Sequence, residues 1–115
     1  MDINVSYEDN VAIVTLIGRN VGADALELKE VLTHQVTALG ITKFILDLSQ
    51  VTTSDNSGNA VIVGFFSTVH PMNGEIAIIL HKNLDPLNYA VKNIMRLCET
   101  LDKAKEYFTQ KGDAQ

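Results

Sequence analysis

Cationic side chains are scarce in this chain: nine lysines and arginines stand against fourteen aspartates and glutamates, for a net charge of −5. The deficit argues against sequence-independent nucleic-acid binding, which needs basic surface to neutralise phosphates. Cysteine is scarcer still. Cys98 stands alone, which excludes an internal disulfide and a cysteine metal cluster. No apolar run approaches the roughly 20 residues a helix needs to cross a bilayer. Met1-Asp2-Ile3-Asn4 lacks the basic and apolar segments of a secretory signal. A soluble, cytoplasmic protein without direct membrane insertion is the expectation.

Motifs of catalysis are missing as well. Gly18 and Gly22 do not form a dinucleotide fingerprint, and no Gly-Lys-Ser/Thr phosphate loop is present. His34, His70 and His81 are far apart, without the His-x-x-x-His spacing of a metal site, and read as surface or satisfied core residues. Cys98 lies in an apolar stretch and reads as packing rather than as a nucleophile. The chain is therefore expected to be no enzyme and to use no metal or cofactor.

What is there suits one folded domain. The 115 residues can enclose a single core; 46% hydrophobic is ordinary for a globular protein and 20% charged slightly low, which argues against wholesale disorder. No repeat, low-complexity tract or linker interrupts it. The domain is expected over 1–110, with a flexible polar tail at 111–115.

Ile3 to Tyr7 and the β-branched stretch Val11 to Ile17 read as a hairpin across Glu8-Asp9-Asn10, the second strand stopping at Gly18. Asp24 can cap a helix that carries Ala25, Leu28, Leu32, Val36 and Leu39 at helical spacing and ends at Gly40. Lys43 to Leu48 reads as a buried strand, and Ile76 to Leu80 as another, introduced by Asn73-Gly74. Asp85-Pro86 opens a short helix to about Lys92, Ile94 to Cys98 forms a short strand, and Thr100 caps a terminal helix burying Leu101, Ala104 and Phe108. Apolar runs separated by helices predict a single α/β domain. Its sheet is mixed and mainly parallel, with four to five strands and about four helices.

Gly58 to Val69 has strand-like composition but follows a helix-start signal, with Asp55 or Ser57 able to cap it. A helix preserves the alternation of strands and helices, and tertiary setting overrides propensity. So apolar a helix cannot hide every side. Val61, Phe65 and Thr68 are expected to face the core, leaving Ile62, Phe66 and Val69 near the surface as a docking stripe.

Two places could carry chemistry. Asp47 ends an apolar strand, where receiver domains carry a phosphorylated carboxylate. The acidic pair that would hold Mg²⁺ is absent after Ile17, where Gly18-Arg19-Asn20 follows, so local hydrogen bonding is the simpler reading. Ser54-Asp55-Asn56-Ser57-Gly58 is by composition an ordinary turn and cap. Its position between a buried strand and an apolar helix, however, exposes a serine beside free backbone N–H groups that receive anions. Phosphate there adds about two negative charges next to the expected docking stripe, enough to switch an interaction off.

Lys43-Phe-Ile-Leu-Asp-Leu-Ser-Gln-Val51 followed by Asp55-Asn56-Ser57-Gly58 resembles the STAS domains, most closely the stand-alone bacterial anti-sigma-factor antagonists. Gly18, Ala25-Leu26-Glu27-Leu28 and Thr100-Leu101-Asp102-Lys103-Ala104 fit the same pattern, which covers nearly the whole chain. The resemblance implies a STAS-like fold and makes Ser57 the phosphorylation site within Asp55, Asn56 and Gly58. The surface it brings to the partner comprises Asn20, Gly22, Asn59, Ile62 and Phe66. The implied partners are an anti-sigma factor of the serine-kinase type, which uses its own ATP and Mg²⁺, and a PP2C-type phosphatase. Unphosphorylated chain binds the former; phosphorylation ends the complex. The chain departs from the family pattern at Val21, which replaces an acid, at Asn56, which replaces a serine, and at Asn59, which replaces an apolar residue. The alternative implied role is a non-phosphorylated STAS subunit of a larger regulatory or lipid-transport assembly.

Overall fold

The computed structural model describes residues 1–85 and 95–113, with side chains as far as Thr109. Five strands and three helices follow in the order β1 (Asp2–Glu8), β2 (Val11–Asn20), α1 (Ala23–Thr37), β3 (Lys43–Ser54), α2 (Asn56–Val69), β4 (Glu75–Leu80), β5 (Arg96–Cys98) and α3 (Leu101–Asp113), with a 3₁₀ turn at His70–Met72. The strands form one sheet in sequence order, β1-β2-β3-β4-β5. β1 and β2 are antiparallel; every other pairing is parallel. The hairpin closes with Glu8 opposite Val11. Asp9 and Asn10 take φ of 49° and 70°, the left-handed pair that matches a two-residue turn to the twist of its strands.

Period-two alternation sends opposite faces of the sheet to different helices. Ala12, Val14, Leu16, Phe44, Leu46, Leu48, Ile76 and Ile78 join Leu28 and Leu32 of α1 and the apolar side of α2 in the larger core. Val11, Ile13, Ile45, Ala77 and Ile79 pack with Ala104, Leu101 and Phe108 of α3 on the other face. Three layers result. Phe44, fully buried, meets the Phe65 ring edge-on at 4.8 Å; burying one such side chain stabilises the fold by about 1.5–3 kcal/mol.

The differences from sequence expectation have local causes. α1 begins after Gly22, which makes no side-chain cap, and Asp24 lies in its first turn. The helix closes at Thr37, where Gly40 donates its N–H to Val36 O and Ile41 to Gln35 O. Leu39 thus falls outside the helical period and is exposed. β3 continues to Ser54 because, past its last pair with β4 at Leu48, it keeps pairing with β2 through Ser54. Thr100 caps α3 by accepting the Lys103 N–H at 3.2 Å. The expected helix from Pro86 to Lys92, third of the four in the sequence reading, lies outside the described residues, as does part of the tail at 111–115.

α2 brings the largest correction. Ile62, Phe65, Phe66 and Val69 are all buried, whereas Val61 is half-buried and Thr68 exposed. These four sit at i, i+3, i+4 and i+7, the apolar stripe of one helical face. Ile62 and Phe66 therefore belong to the core and do not form a docking surface.

Candidate functional site

Three segments meet where β2 and β3 end: the β2–α1 loop, the β3–α2 loop and the first turn of α2. The pairing of β2 with β3 shifts register at Gly18–Arg19, then closes with Arg19 opposite Thr53 and Asn20 opposite Ser54. This brings residues more than 30 positions apart into one junction.

Asp55 organises it. Its extended backbone (φ −98°, ψ −176°) sets it as the N-cap of α2, and its Oδ1 accepts the Gly58 N–H at 2.9 Å. Oδ2 accepts the Gly22 N–H at 3.2 Å, and the Asp55 N–H donates to Asn20 O at 3.3 Å. One carboxylate thus caps a helix and holds a distant loop. Ser54 is occupied too: its hydroxyl is 2.8 Å from Asn59 Oδ1 and 3.4 Å from Asn20 O.

Gly58 lies against Asn20 so closely that a Cβ would collide with the Asn20 carbonyl oxygen and reach within 2.7 Å of its Cγ. Asn20 is wholly buried, and neither Oδ1 nor Nδ2 has a hydrogen-bond partner among the described residues. Asn56 and Ser57, in contrast, are exposed. Ser57 is the second residue of α2, and its hydroxyl makes no hydrogen bond among the described residues. An anion on that hydroxyl would sit at the positive end of the helix.

Of the residues singled out in the sequence, Asn20, Gly22, Asp55, Asn56, Ser57, Gly58 and Asn59 gather at this junction. Within it, Gly22 is exposed and Asn59 half-buried, while Asn20 is inaccessible. Sequence reasoning missed the bond between Asp55 and Gly22, since no spacing rule relates positions 33 apart. It also missed a groove of about 400 Å³ between α1 and α2, beginning one turn beyond Ser57 and lined by Lys29, Leu32, Ala60, Val61, Gly64 and Phe65 among others. A smaller polar cleft of about 300 Å³ runs from Thr52 and Thr53 past Asn59 to Asn83 and Asp85.

Elsewhere, Asp47 accepts both the N–H and the hydroxyl of Ser49, at 3.0 and 2.6 Å, which accounts for it by local bonding. Burial pushes the Cys98 thiol up from its ordinary range, against a smaller opposing effect of the Arg96 charge, as befits a packed rather than a reactive cysteine. Among the described residues no group of three histidine, cysteine or acidic side chains is placed to hold a metal ion. No described helix is long and apolar enough to cross a membrane.

The family model of the STAS domain matches residues 2–83, which include both loops and all of α2. The chain belongs to the STAS domain family. Solved structures agree on the fold. The anti-sigma factor antagonist SpoIIAA in its unphosphorylated form superposes with a TM-score of 0.76 at 8% identity, covering 95% of this chain and 98% of that one. An anti-sigma factor antagonist from Mycobacterium paratuberculosis gives 0.78 at 18% identity, with 92% of each chain covered. A serine-to-glutamate variant of RsbS from Moorella thermoacetica gives 0.77 at 12% identity, covering 98% of this STAS domain and 99% of its own chain.

Proposed function

We propose that this STAS domain is a phospho-regulated protein-binding switch of the anti-sigma-factor-antagonist kind, and that Ser57 is its phosphorylation site. The observation that carries the reading is the contrast between two nearby serines. Ser57 is exposed on the first turn of α2, whereas the Ser54 hydroxyl is engaged by Asn59 and Asn20. A kinase can reach the first without dismantling the junction. SpoIIAA, solved also in a phosphorylated form, matches this chain with a TM-score of 0.72 at 13% identity, covering 93% of this chain and 99% of that one; a fold of this kind accommodates the modification.

The partner surface is the exposed side of α2 together with the groove it shares with α1, in place of the buried Ile62 and Phe66. Ala60 and Gly64 keep that side low, so another helix or loop can approach closely, and Ser57 stands at its end. Unphosphorylated domain binds an anti-sigma factor of the serine-kinase type in the cytoplasm. Phosphate on Ser57 would bring about two charges to the rim of that contact, where desolvating them costs several kcal/mol. A PP2C-type phosphatase restores the hydroxyl. The domain itself catalyses nothing in this cycle.

Phosphopeptide mapping of protein recovered from cells tests the site: the modification is expected on Ser57 and is expected to vanish in Ser57→Ala. In calorimetry with the co-purifying kinase, Ser57→Ala should bind as tightly as the unmodified protein, and Ser57→Asp at least about tenfold more weakly. Phosphate found only at other positions, or equal affinities for the two variants, would remove the basis for the switch.

A further inference from the structure

Asp55 faces a conflict once Ser57 carries phosphate. Its carboxylate holds the Gly58 N–H with one oxygen and the Gly22 N–H with the other, so one fixed charge already occupies the positive end of α2. A phosphoryl group two residues along brings up to two further charges and three strong acceptor oxygens to the same N–H groups. Both anions cannot be accommodated there at full strength: like charges repel, and the first turn has few free donors.

Resting on the reading of Ser57 as a phosphoacceptor, we propose that Asp55 is the transmitting residue of the switch. A phosphoryl group on Ser57 displaces the Asp55 carboxylate from the α2 N-terminus and so unlatches Gly22 and the β2–α1 loop. The signal then leaves the phosphorylated turn and reaches a second loop on the same rim.

A second, independent observation marks the junction as ready to open. Asn20, wedged beneath Gly58, is fully buried, with both polar atoms of its carboxamide unpartnered among the described residues. Buried polar groups are normally satisfied, and leaving one unmade disfavours the arrangement that buries it. Loosening the β2–α1 loop admits water, or a freed backbone group, to that amide. The closed junction is thus held by the Asp55 bonds and opposed by Asn20, and losing the first shifts the balance. Gly22, with φ of +53° and open space where a Cβ would stand, can then shift together with the first turn of α1, to which its carbonyl stays tied by accepting the Ala25 N–H at 3.1 Å.

The experiment is amide hydrogen exchange by NMR on full-length protein with phosphoserine installed genetically at position 57, so that no kinase is needed. Exchange at Gly22 is expected to rise on the order of tenfold over the unmodified protein, while amides of β3 stay unchanged. Asp55→Asn separates the two bonds: asparagine still caps α2 through its one carbonyl oxygen but has no second oxygen for Gly22. Its Gly22 amide should exchange as fast without phosphate as the modified protein does, and phosphate should add little. Gly22 exchange unaltered by phosphoserine, or rising equally further in Asp55→Asn, would overturn the latch. That result leaves the switch itself standing, since the switch fails separately, by absence of phosphate on Ser57 in cells.

Discussion

Gly58 shows how one residue can be demanded by tertiary contact against its local preference. Glycine inside a helix costs about 0.5–1 kcal/mol relative to alanine. At Gly64, with no atom near a Cβ position, Gly64→Ala should recover that amount. At Gly58 the same change drives a methyl into the Asn20 carbonyl and carboxamide. The overpacking penalty of about 1–3 kcal/mol exceeds the propensity gain, so Gly58→Ala should destabilise. Urea denaturation of the two variants should therefore give midpoints shifted in opposite directions. Both glycines are plain in the sequence; which one is indispensable is not, because Asn20 approaches Gly58 from 38 positions away through the pairing of β2 with β3.

For whole elements, periodicity was a good guide to type and a poorer guide to orientation. α1 presents Ala25, Leu28, Leu32 and Val36 to the core as their spacing implies. α2 is apolar nearly all round, so its pattern admits more than one inward face, and contact with both the sheet and α1 selects Ile62, Phe65, Phe66 and Val69. Ile62→Ala is consequently expected to cost about 2–5 kcal/mol in stability, as a buried large-to-small change does. Ala60→Glu, on the exposed side, should leave the unfolding midpoint nearly unchanged while weakening the partner complex. Denaturation curves set beside binding curves distinguish a core position from a contact position. The far boundary of β3 is hidden in the sequence for a related reason: Ser49 to Ser54 are mostly polar, and their strand geometry comes from pairing with β2 rather than from their own composition.

Across the whole molecule, the sheet order places β3 at the centre, paired on both sides, with β1 and β5 at the edges. Local stability should follow that order. Amides from Phe44 to Leu46 are expected to exchange most slowly and those of the three-residue β5 among the fastest of the strands, in a native-state exchange series. Uniform protection across the sheet would contradict that layering.

The α/β class, the hairpin, a cap at Asp55 or Ser57, the cap at Thr100 and the exposed serine at position 57 followed from the sequence by itself. These rest on local rules: side-chain period, turn chemistry and the hydrogen-bonding needs of helix ends. Only the tertiary structure decided which side of α2 is buried, that Asn20 lies beneath Gly58 and that Asp55 holds Gly22. Those depend on the register between two strands and on the space left between two helices. A residue's own neighbours in the chain carry no record of either.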